Sequence, residues 1–252
     1  MDEESCPNIS EYYNTHVIAR RVAFGEHREV IGGLWDDIGQ LQFEYLVSAG
    51  LLPEHRLIDI GCGCLRGGVH FVRYLAPGNY VGVDRNNSLL DAGYNIELAE
   101  VGLQDRLPRE NLICVENFDF ARTGGNFDFA LAHSVFTHLP SNHIRRCLTR
   151  LAEVMRVGGV FFATFFELPR GAVASEPYCH SPGDVTTYDD ADPYHYWLSD
   201  MFYATSKLPG GFISSEAGTI LALNECCPLP ESANEATRSL GADKNGVIVL
   251  WG

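Results

Sequence analysis

Basic charge is what this chain has least of. Its 252 residues hold 18 Lys and Arg against 33 Asp and Glu, a formal net charge of −15, and lysine occurs only at Lys207 and Lys244. From residue 171 onward eleven acids face three basic residues, Lys207, Arg238 and Lys244. A protein that binds nucleic acid needs a basic face to neutralise phosphates and release counterions, so no nucleic-acid partner is expected. Strongly anionic substrates are disfavoured for the same reason, with Arg66, Arg85 and Arg170 as the cations still within reach of a site. Also missing is any unbroken apolar run of the ~18–20 residues that a membrane span needs. The first ten residues, MDEESCPNIS, are acidic where a secretory signal is basic and then apolar, so the expected location is the cytoplasm, off the membrane. Eight cysteines stand at 6, 62, 64, 114, 147, 179, 226 and 227 without a CxxC pair or a zinc spacing, and they read as reduced thiols, several of them core filler. No metal site is expected, because the acids of the later part lack the spacing of a calcium loop. The composition, 46% apolar and 20% charged, is that of a globular chain.

What is present is an alternation of strands and helices, which argues for a parallel sheet covered on both faces. Leu34, Trp35, Ile38, Leu41, Gln42, Tyr45 and Leu46 keep a helical spacing that stops at Gly50 and Pro53, so a helical cap over 1–52 precedes the sheet. Trp35 and Phe43 leave open whether this cap covers the sheet or a second copy of the chain, and with it a homodimer. Apolar runs at 56–60, 80–84, 112–115, 127–132 and 160–166 alternate with amphipathic stretches near 66–75, 88–102 and 141–155, giving five β-α repeats within a core of 53–168. Beyond 168 the rhythm is broken by Pro169, Pro177, Pro182 and Pro193 among aromatics and acids. This predicts a lid inserted over 169–211, ahead of closing strands within 212–252.

The chemistry resides in Leu57-Ile58-Asp59-Ile60-Gly61-Cys62-Gly63-Cys64-Leu65-Arg66-Gly67-Gly68. A buried strand runs into a glycine turn and then a helix, so a ligand can approach the backbone closely and face the helix N–H groups. The dinucleotide pattern GxGxxG fails, since Arg66 stands where its third glycine would be. Asp84 ends the next strand, where a carboxylate can accept both ribose hydroxyls.

In these residues the chain resembles the class I S-adenosylmethionine-dependent methyltransferases, whose first motif reads E/D-x-G-x-G and whose second strand ends in an acid. Glu116-Asn117-Phe118-Asp119-Phe120, Phe127–Ser134 and Val157-Gly158-Gly159-Val160 follow in the family's order, and the resemblance covers about residues 26 to 168. Gly33-Leu34-Trp35, Leu65-Arg66-Gly67-Gly68 and Ser134-Val135-Phe136-Thr137-His138-Leu139 are similar to a bacterial subgroup acting on small molecules, often sugar or natural-product hydroxyls. The resemblance implies a Rossmann-like α/β fold: a seven-stranded, mostly parallel sheet with helices on both faces and an antiparallel C-terminal hairpin. It implies S-adenosylmethionine as cofactor, with Gly61 and Gly63 along its methionine portion, Asp59 shaping the turn or meeting its ammonium, and Cys62 and Arg66 among the cofactor-binding residues. Asp84 would hold the ribose and Asp119 and Phe120 the adenine, with Arg85 and His133 further cofactor-binding residues.

Open parallel sheets present their sites at the carboxyl ends of the strands. That places His133, after strand four, and Glu167, ending strand five, as candidate proton acceptors, with His138 a third candidate that could also touch substrate. The aromatic-rich segment supplies Tyr178, His180, Tyr194, Tyr196 and Trp197, which either wall an acceptor pocket or fasten the insertion to the sheet. The expected reaction is methyl transfer to a hydroxyl of a small polar metabolite, such as a sugar or a glycosylated intermediate. Methylation of a small amine, a nicotinamide-dependent oxidation and a turnover-less binding protein remain the alternatives.

Overall fold

The computed structural model describes residues 10–181 and 184–206, together with the backbone of strands at 212–215, 219–222 and 245–251. Cys6, Cys226, Cys227, Arg238 and Lys244 lie outside the described residues, as does most of the expected closing region.

The N-terminal helices α1 (Thr15–Ala23), α2 (His27–Val30) and α3 (Trp35–Ser48) form a cap. The Asn14 side chain starts α1 by accepting the Val17 N–H, and Gly50, at φ +98°, ends the last turn of α3. The repeats that follow are β1 (Leu57–Ile60), α4 (Gly68–Tyr74), β2 (Tyr80–Asp84), α5 (Asn87–Ala92), α6 (Leu98–Glu100), β3 (Leu112–Cys114), β4 (Phe127–Ala132), α7 (Ser141–Ala152) and β5 (Met155–Glu167). A π-helical stretch, Gly93–Glu97, joins α5 to α6. Beyond them come β6 (Tyr178–His180), β7 (Val185–Thr187), β8 (His195–Tyr196), α8 (Leu198–Thr205), β9 (Phe212–Ser215), β10 (Thr219–Ala222) and β11 (Asn245–Trp251).

The sheet runs β3-β2-β1-β4-β5-β11-β9-β10. Its first five strands are parallel, and β11 lies antiparallel on β5 with Val247 opposite Thr164. Strands β1 and β2 are buried on both faces, as central parallel strands must be, and their side chains alternate between two cores. Ile58, Ile60, Val81 and Val83 pack with Ile144, Leu148 and Leu151 of α7, whereas Leu57 and Tyr80 pack with Leu65 and Val72 on the α4 side.

The expected parallel sheet and its antiparallel C-terminal strands are present, with two corrections. The described residues contribute nine strands to the sheet rather than seven. Among the expected closing strands, the described residues between 212 and 222 form two, β9 and β10, and the sequence between them is Glu-Ala-Gly. The segment from 169 to 206 is also not a lid over the strand ends. Its β8 extends the sheet beside the end of β5, with Phe166 paired to His195, and Tyr194, Tyr196 and Met201 enter the core that holds Phe161 and Phe165.

The cap takes the covering place. Gly39 and Gly67 let α3 close onto the start of α4: a Cβ at Gly39 would lie 2.6 Å from the Arg66 carbonyl oxygen, and one at Gly67 would lie 2.2 Å from Gln42 Oε1. The order of the strands reverses between β1 and β4, so the crevice above that pair is where an open α/β sheet binds its ligand.

Candidate active site

A cavity of about 600 Å³ opens above this switch point, well inside the range of small-molecule sites. Its floor is formed by residues at the carboxyl ends of β1 to β5 and its roof by the cap. Gly61 and Gly63, at φ +69° and +55°, turn the chain away from β1. A Cβ on Gly61 would sit 2.5 Å from Val135 Cγ2, and one on Gly63 would sit 2.8 Å from Ile31 Cγ2, so the turn tolerates no side chain. The Gly61 N–H fastens the turn to β2 by donating to the Val83 carbonyl.

Asp84 is buried, and each of its oxygens accepts one backbone N–H: Oδ2 from Gly63 at 3.0 Å and Oδ1 from Asn86 at 2.8 Å. Burial raises its pKa against the pull of these bonds. Asp59 accepts from the Tyr80 hydroxyl at 2.7 Å. Desolvation pushes Asp59 up to about 7, with the Tyr80 hydrogen bond opposing and the Asp84 charge adding to it. Arg66 donates to the Ile31 and Gly33 carbonyls at 3.1 and 2.8 Å, tying the cap to the glycine turn. Arg85 stacks on the Tyr13 ring, 4.5 Å from its centroid. Asn86 Oδ1 and the Nε atoms of Arg66 and Arg85 are buried without a hydrogen-bond partner at this floor.

After β3 the chain brings Val115, Asn117 and Phe118 to the cavity, and not Asp119 and Phe120. Asp119 is exposed and its Oδ1 accepts the Ala121 N–H, while Phe120 is buried in the α7-side core. The left-handed conformations of Asn117 and Phe118, φ +52° and +59°, make this difference by turning the chain two residues earlier than expected. Among residues with a side chain asparagine tolerates that conformation best, so Asn117 was the signal in the sequence.

After β4, His133 and His138 both line the cavity. Desolvation, with Arg66 second, pushes His133 down to about 3, which leaves it neutral and a weak proton acceptor. His133 Nδ1 lies 3.1 Å from Ser134 Oγ. His138 Nδ1 lies 2.6 Å from Asp192 Oδ1. An ionised carboxylate can only accept, so Nδ1 carries the hydrogen and Nε2 carries the lone pair. The Tyr12 ring meets the His138 ring edge-on at 5.0 Å.

Glu167 is not among the cavity-lining residues. It is half-buried at the end of β5, in register with Tyr196, and burial raises its pKa. None of Tyr178, His180, Tyr194, Tyr196 and Trp197 lines the cavity either. Tyr178 packs edge-on against His180, Tyr196 donates its hydroxyl to the Leu139 carbonyl, and the Trp197 N–H caps α8 through Asp200. The pairing of β8 with β5 turns these side chains into the flank of the sheet. The residues that replace them at the cavity are Tyr12, Tyr13, Ile38, Leu41 and Tyr45 of the cap, with His143 of α7. Asp192 was hidden in the sequence among neighbouring acids that read as a solvated run.

A family model described as a methyltransferase domain matches residues 58–161, which run from β1 into β5. Over these residues the chain is similar to the methyltransferase domains that use S-adenosylmethionine. Its fold is shared with magnesium protoporphyrin IX methyltransferase from Synechocystis PCC 6803, solved with S-adenosylmethionine bound, at a TM-score of 0.56 and 12% identity over 98% of this chain and 99% of that one. The pyocyanin biosynthetic protein PhzM matches at a TM-score of 0.57 and 15% identity over 94% of this chain and 61% of that chain. The [4+2]-cyclase SpnF matches at 0.57 and 14% over 97% and 96%. Such identities speak for the fold alone, and the cyclase illustrates that one fold hosts several chemistries.

The cavity fits the nucleoside cofactor that such methyltransferases bind: the glycine cradle admits no Cβ, and buried polar atoms of Asn86, Arg66 and Arg85 lack partners there. Among the described residues no group of His, Cys, Asp and Glu could hold a metal, and no helix is long and apolar enough to cross a membrane. The described cysteines, Cys62, Cys64, Cys114, Cys147 and Cys179, are all free thiols.

Proposed function

We propose that the protein methylates a hydroxyl of a small molecule, with His138 as the proton acceptor and Asp192 as the residue that positions it. His138 on the cavity wall, with Asp192 behind it at 2.6 Å, carries this reading. Bound S-adenosylmethionine supplies a methyl group on a sulfonium, which leaves as a neutral thioether while the acceptor oxygen takes the methyl and gives up its proton. Because the methyl group is already activated, the protein's task is to hold the reactants in line, exclude water and take that proton. Asp192 fixes the tautomer in which Nε2 of His138 is free to accept it. Asp84 is assigned to the ribose hydroxyls, since each oxygen keeps acceptor capacity beyond its one backbone bond. Asn117 and Phe118 are assigned to the adenine, and the Gly61–Gly63 turn with Asp59 to the amino-acid end, where an ammonium would favour the ionised form of Asp59. Calorimetric titration with S-adenosylmethionine, S-adenosylhomocysteine and NADH tests the cofactor assignment, and transfer of labelled methyl to alcohols and amines tests the acceptor. Binding of both sulfur nucleosides, loss of that binding in Asp84→Ala, no binding of NADH and transfer to alcohols are the expected results. Binding of NADH in their place, or transfer to amines alone, would overturn the reading.

A further inference from the structure

We infer that the acceptor is an uncharged, largely apolar alcohol or phenol bound under α3, and not a sugar. The inference rests on the methyl-transfer reading for which end of the cavity holds the nucleoside, and the two ends differ in chemistry. Residues after β2 and β3 supply Asp84, Arg85, Asn86 and Asn117, a polar end suited to a ribose and a base. In the strand order β3-β2-β1-β4-β5, strand β5 stands three places from β2, about 14 Å at the usual strand spacing. A nucleoside on Asp84 therefore leaves the β4–β5 end vacant for the second reactant.

That end is apolar. Leu34, Ile38, Leu41 and Tyr45 face it from the cap, and Leu131 and Phe162 from the sheet. The Tyr45 and Phe162 rings meet edge-to-face at 5.1 Å and 88°, a pair that presents flat faces to a ring system beside it. Leu34 and Leu41 are 65% and 40% exposed, so large aliphatic side chains stand open at the mouth, where they would be covered by an apolar ligand. No Asp, Glu, Lys or Arg from α3, β4 or β5 lines the cavity. The charged side chains nearest this end are already engaged, Asp59 by the Tyr80 hydroxyl and Arg66 by the Ile31 and Gly33 carbonyls, so a phosphorylated or cationic acceptor would have to compete for its counterion, and a sugar would leave most of its hydroxyls unpaired. The polar groups at this end are few, Gln42 of α3 and Thr164 of β5 among them, and Thr164 Oγ1 already accepts the Ser134 N–H at 2.7 Å. One hydroxyl directed at His138, on an otherwise apolar body, fits this arrangement.

Equilibrium binding of 2-naphthol, followed by its own fluorescence, tests the inference on the full chain with and without saturating S-adenosylhomocysteine. The expected result is binding that S-adenosylhomocysteine does not displace, that glucose and benzylamine do not compete for, and that Ile38→Asn weakens about tenfold. Ile38 is partly exposed on α3, and an unchanged affinity for S-adenosylhomocysteine in Ile38→Asn verifies that the variant is folded. Displacement of naphthol by S-adenosylhomocysteine, equal competition by glucose, or indifference to Ile38→Asn and to the parallel Leu41→Asn would each overturn the inference. Failure of S-adenosylhomocysteine to bind while naphthol still binds at Ile38 would instead overturn the cofactor reading and leave the apolar site standing.

Discussion

The cap and the segment from 169 to 206 are both rich in aromatics, yet they do opposite things with them. The cap turns Tyr12, Tyr13 and Tyr45 toward the cavity and is held in place by polar ties as well as by apolar packing. Glu97 accepts from Arg28 at 2.7 and 2.6 Å and lies 2.7 Å from His27, Asn86 donates to the Tyr12 carbonyl, and Arg66 grips two further carbonyls. The later segment turns Tyr194 and Tyr196 into the core and contributes Asp192 to the site through His138. Aromatic content therefore reports that a segment is anchored. Which element crosses the carboxyl ends of the strands decides whether those aromatics meet a ligand.

The largest effect expected from breaking this contrast is at His138. His138→Ala should lower kcat by about 10²–10⁴-fold while leaving cofactor affinity near the wild-type value, measured by single-turnover methyl transfer and calorimetry. If the later segment acts on the site only through Asp192, Asp192→Asn should lower kcat by a smaller factor, again with cofactor affinity kept. Tyr194→Phe and Trp197→Phe should then leave kcat and both KM values alone. A rise in acceptor KM in either of them would return that segment to the substrate pocket.

The cap is tested at its tie. Glu97 is 3% exposed and ends the π-helical stretch, where it receives two cap residues at once. Removing one partner of a buried ion pair is costly because the other stays behind desolvated. Arg28 is 40% exposed and can find water, so Glu97→Ala should destabilise by about 3 kcal/mol, the low end of such losses. Because the cap roofs the cavity, cofactor affinity should fall in the same variant. Denaturant unfolding and calorimetry read the two effects separately. A stability loss with unchanged cofactor affinity would mean that the cap does not shape the cofactor site.

How much of this was legible follows from which forces are local. Strands β2 and β4 could be read to the residue because parallel strands buried on both faces leave continuous apolar runs in the sequence. The glycine turn and Asp84 were legible because only glycine fits between Val135 and Ile31 at those φ values. The two-residue shift after β3 was only half legible, because it depends on a left-handed pair in which Asn117 gives a hint of that conformation and Phe118 gives none. The His138–Asp192 pair was invisible for a different reason: its members are 54 residues apart, and only the docking of the later segment on β5 brings them together.

A third test belongs to the floor that both regions share. Asp59, pushed up to about 7, stays protonated in the folded chain across the interval in which the unfolded chain ionises near 3.8. The folded state then binds more protons than the unfolded one, so this group subtracts stability progressively as pH rises from about 4 to about 7, and the penalty is constant above that. Asp59→Asn keeps an acceptor for Tyr80 and removes the ionisation. Wild type should lose more thermal stability than Asp59→Asn between pH 5 and 8 (about 1–2 units either side of the transition). Equal slopes would mean that Asp59 is not desolvated.

The smallest effect is expected in the later segment, and it separates anchoring from recognition. His180 Nε2 lies 2.9 Å from Thr187 Oγ1, which lies 2.8 Å from His195 Nδ1, and His195 Nε2 donates to the Ala174 carbonyl at 2.9 Å. All three side chains are buried. The donation to Ala174 puts the hydrogen of a neutral His195 on Nε2, so Nδ1 accepts, and the Thr187 hydroxyl is the donor in reach, at 2.8 Å against 3.3 Å to its other acceptor, the Tyr178 carbonyl. Thr187→Val preserves the shape of the side chain and deletes that hydroxyl, a loss of about 1–3 kcal/mol for polar groups left without it in the interior. If the segment is an anchor, the loss should appear in denaturant unfolding, while cofactor affinity, acceptor KM and kcat stay within about twofold of wild type. If the same substitution raised acceptor KM tenfold, the network would be holding a wall of the pocket, and the contrast between the cap and this segment would fail at its weaker side.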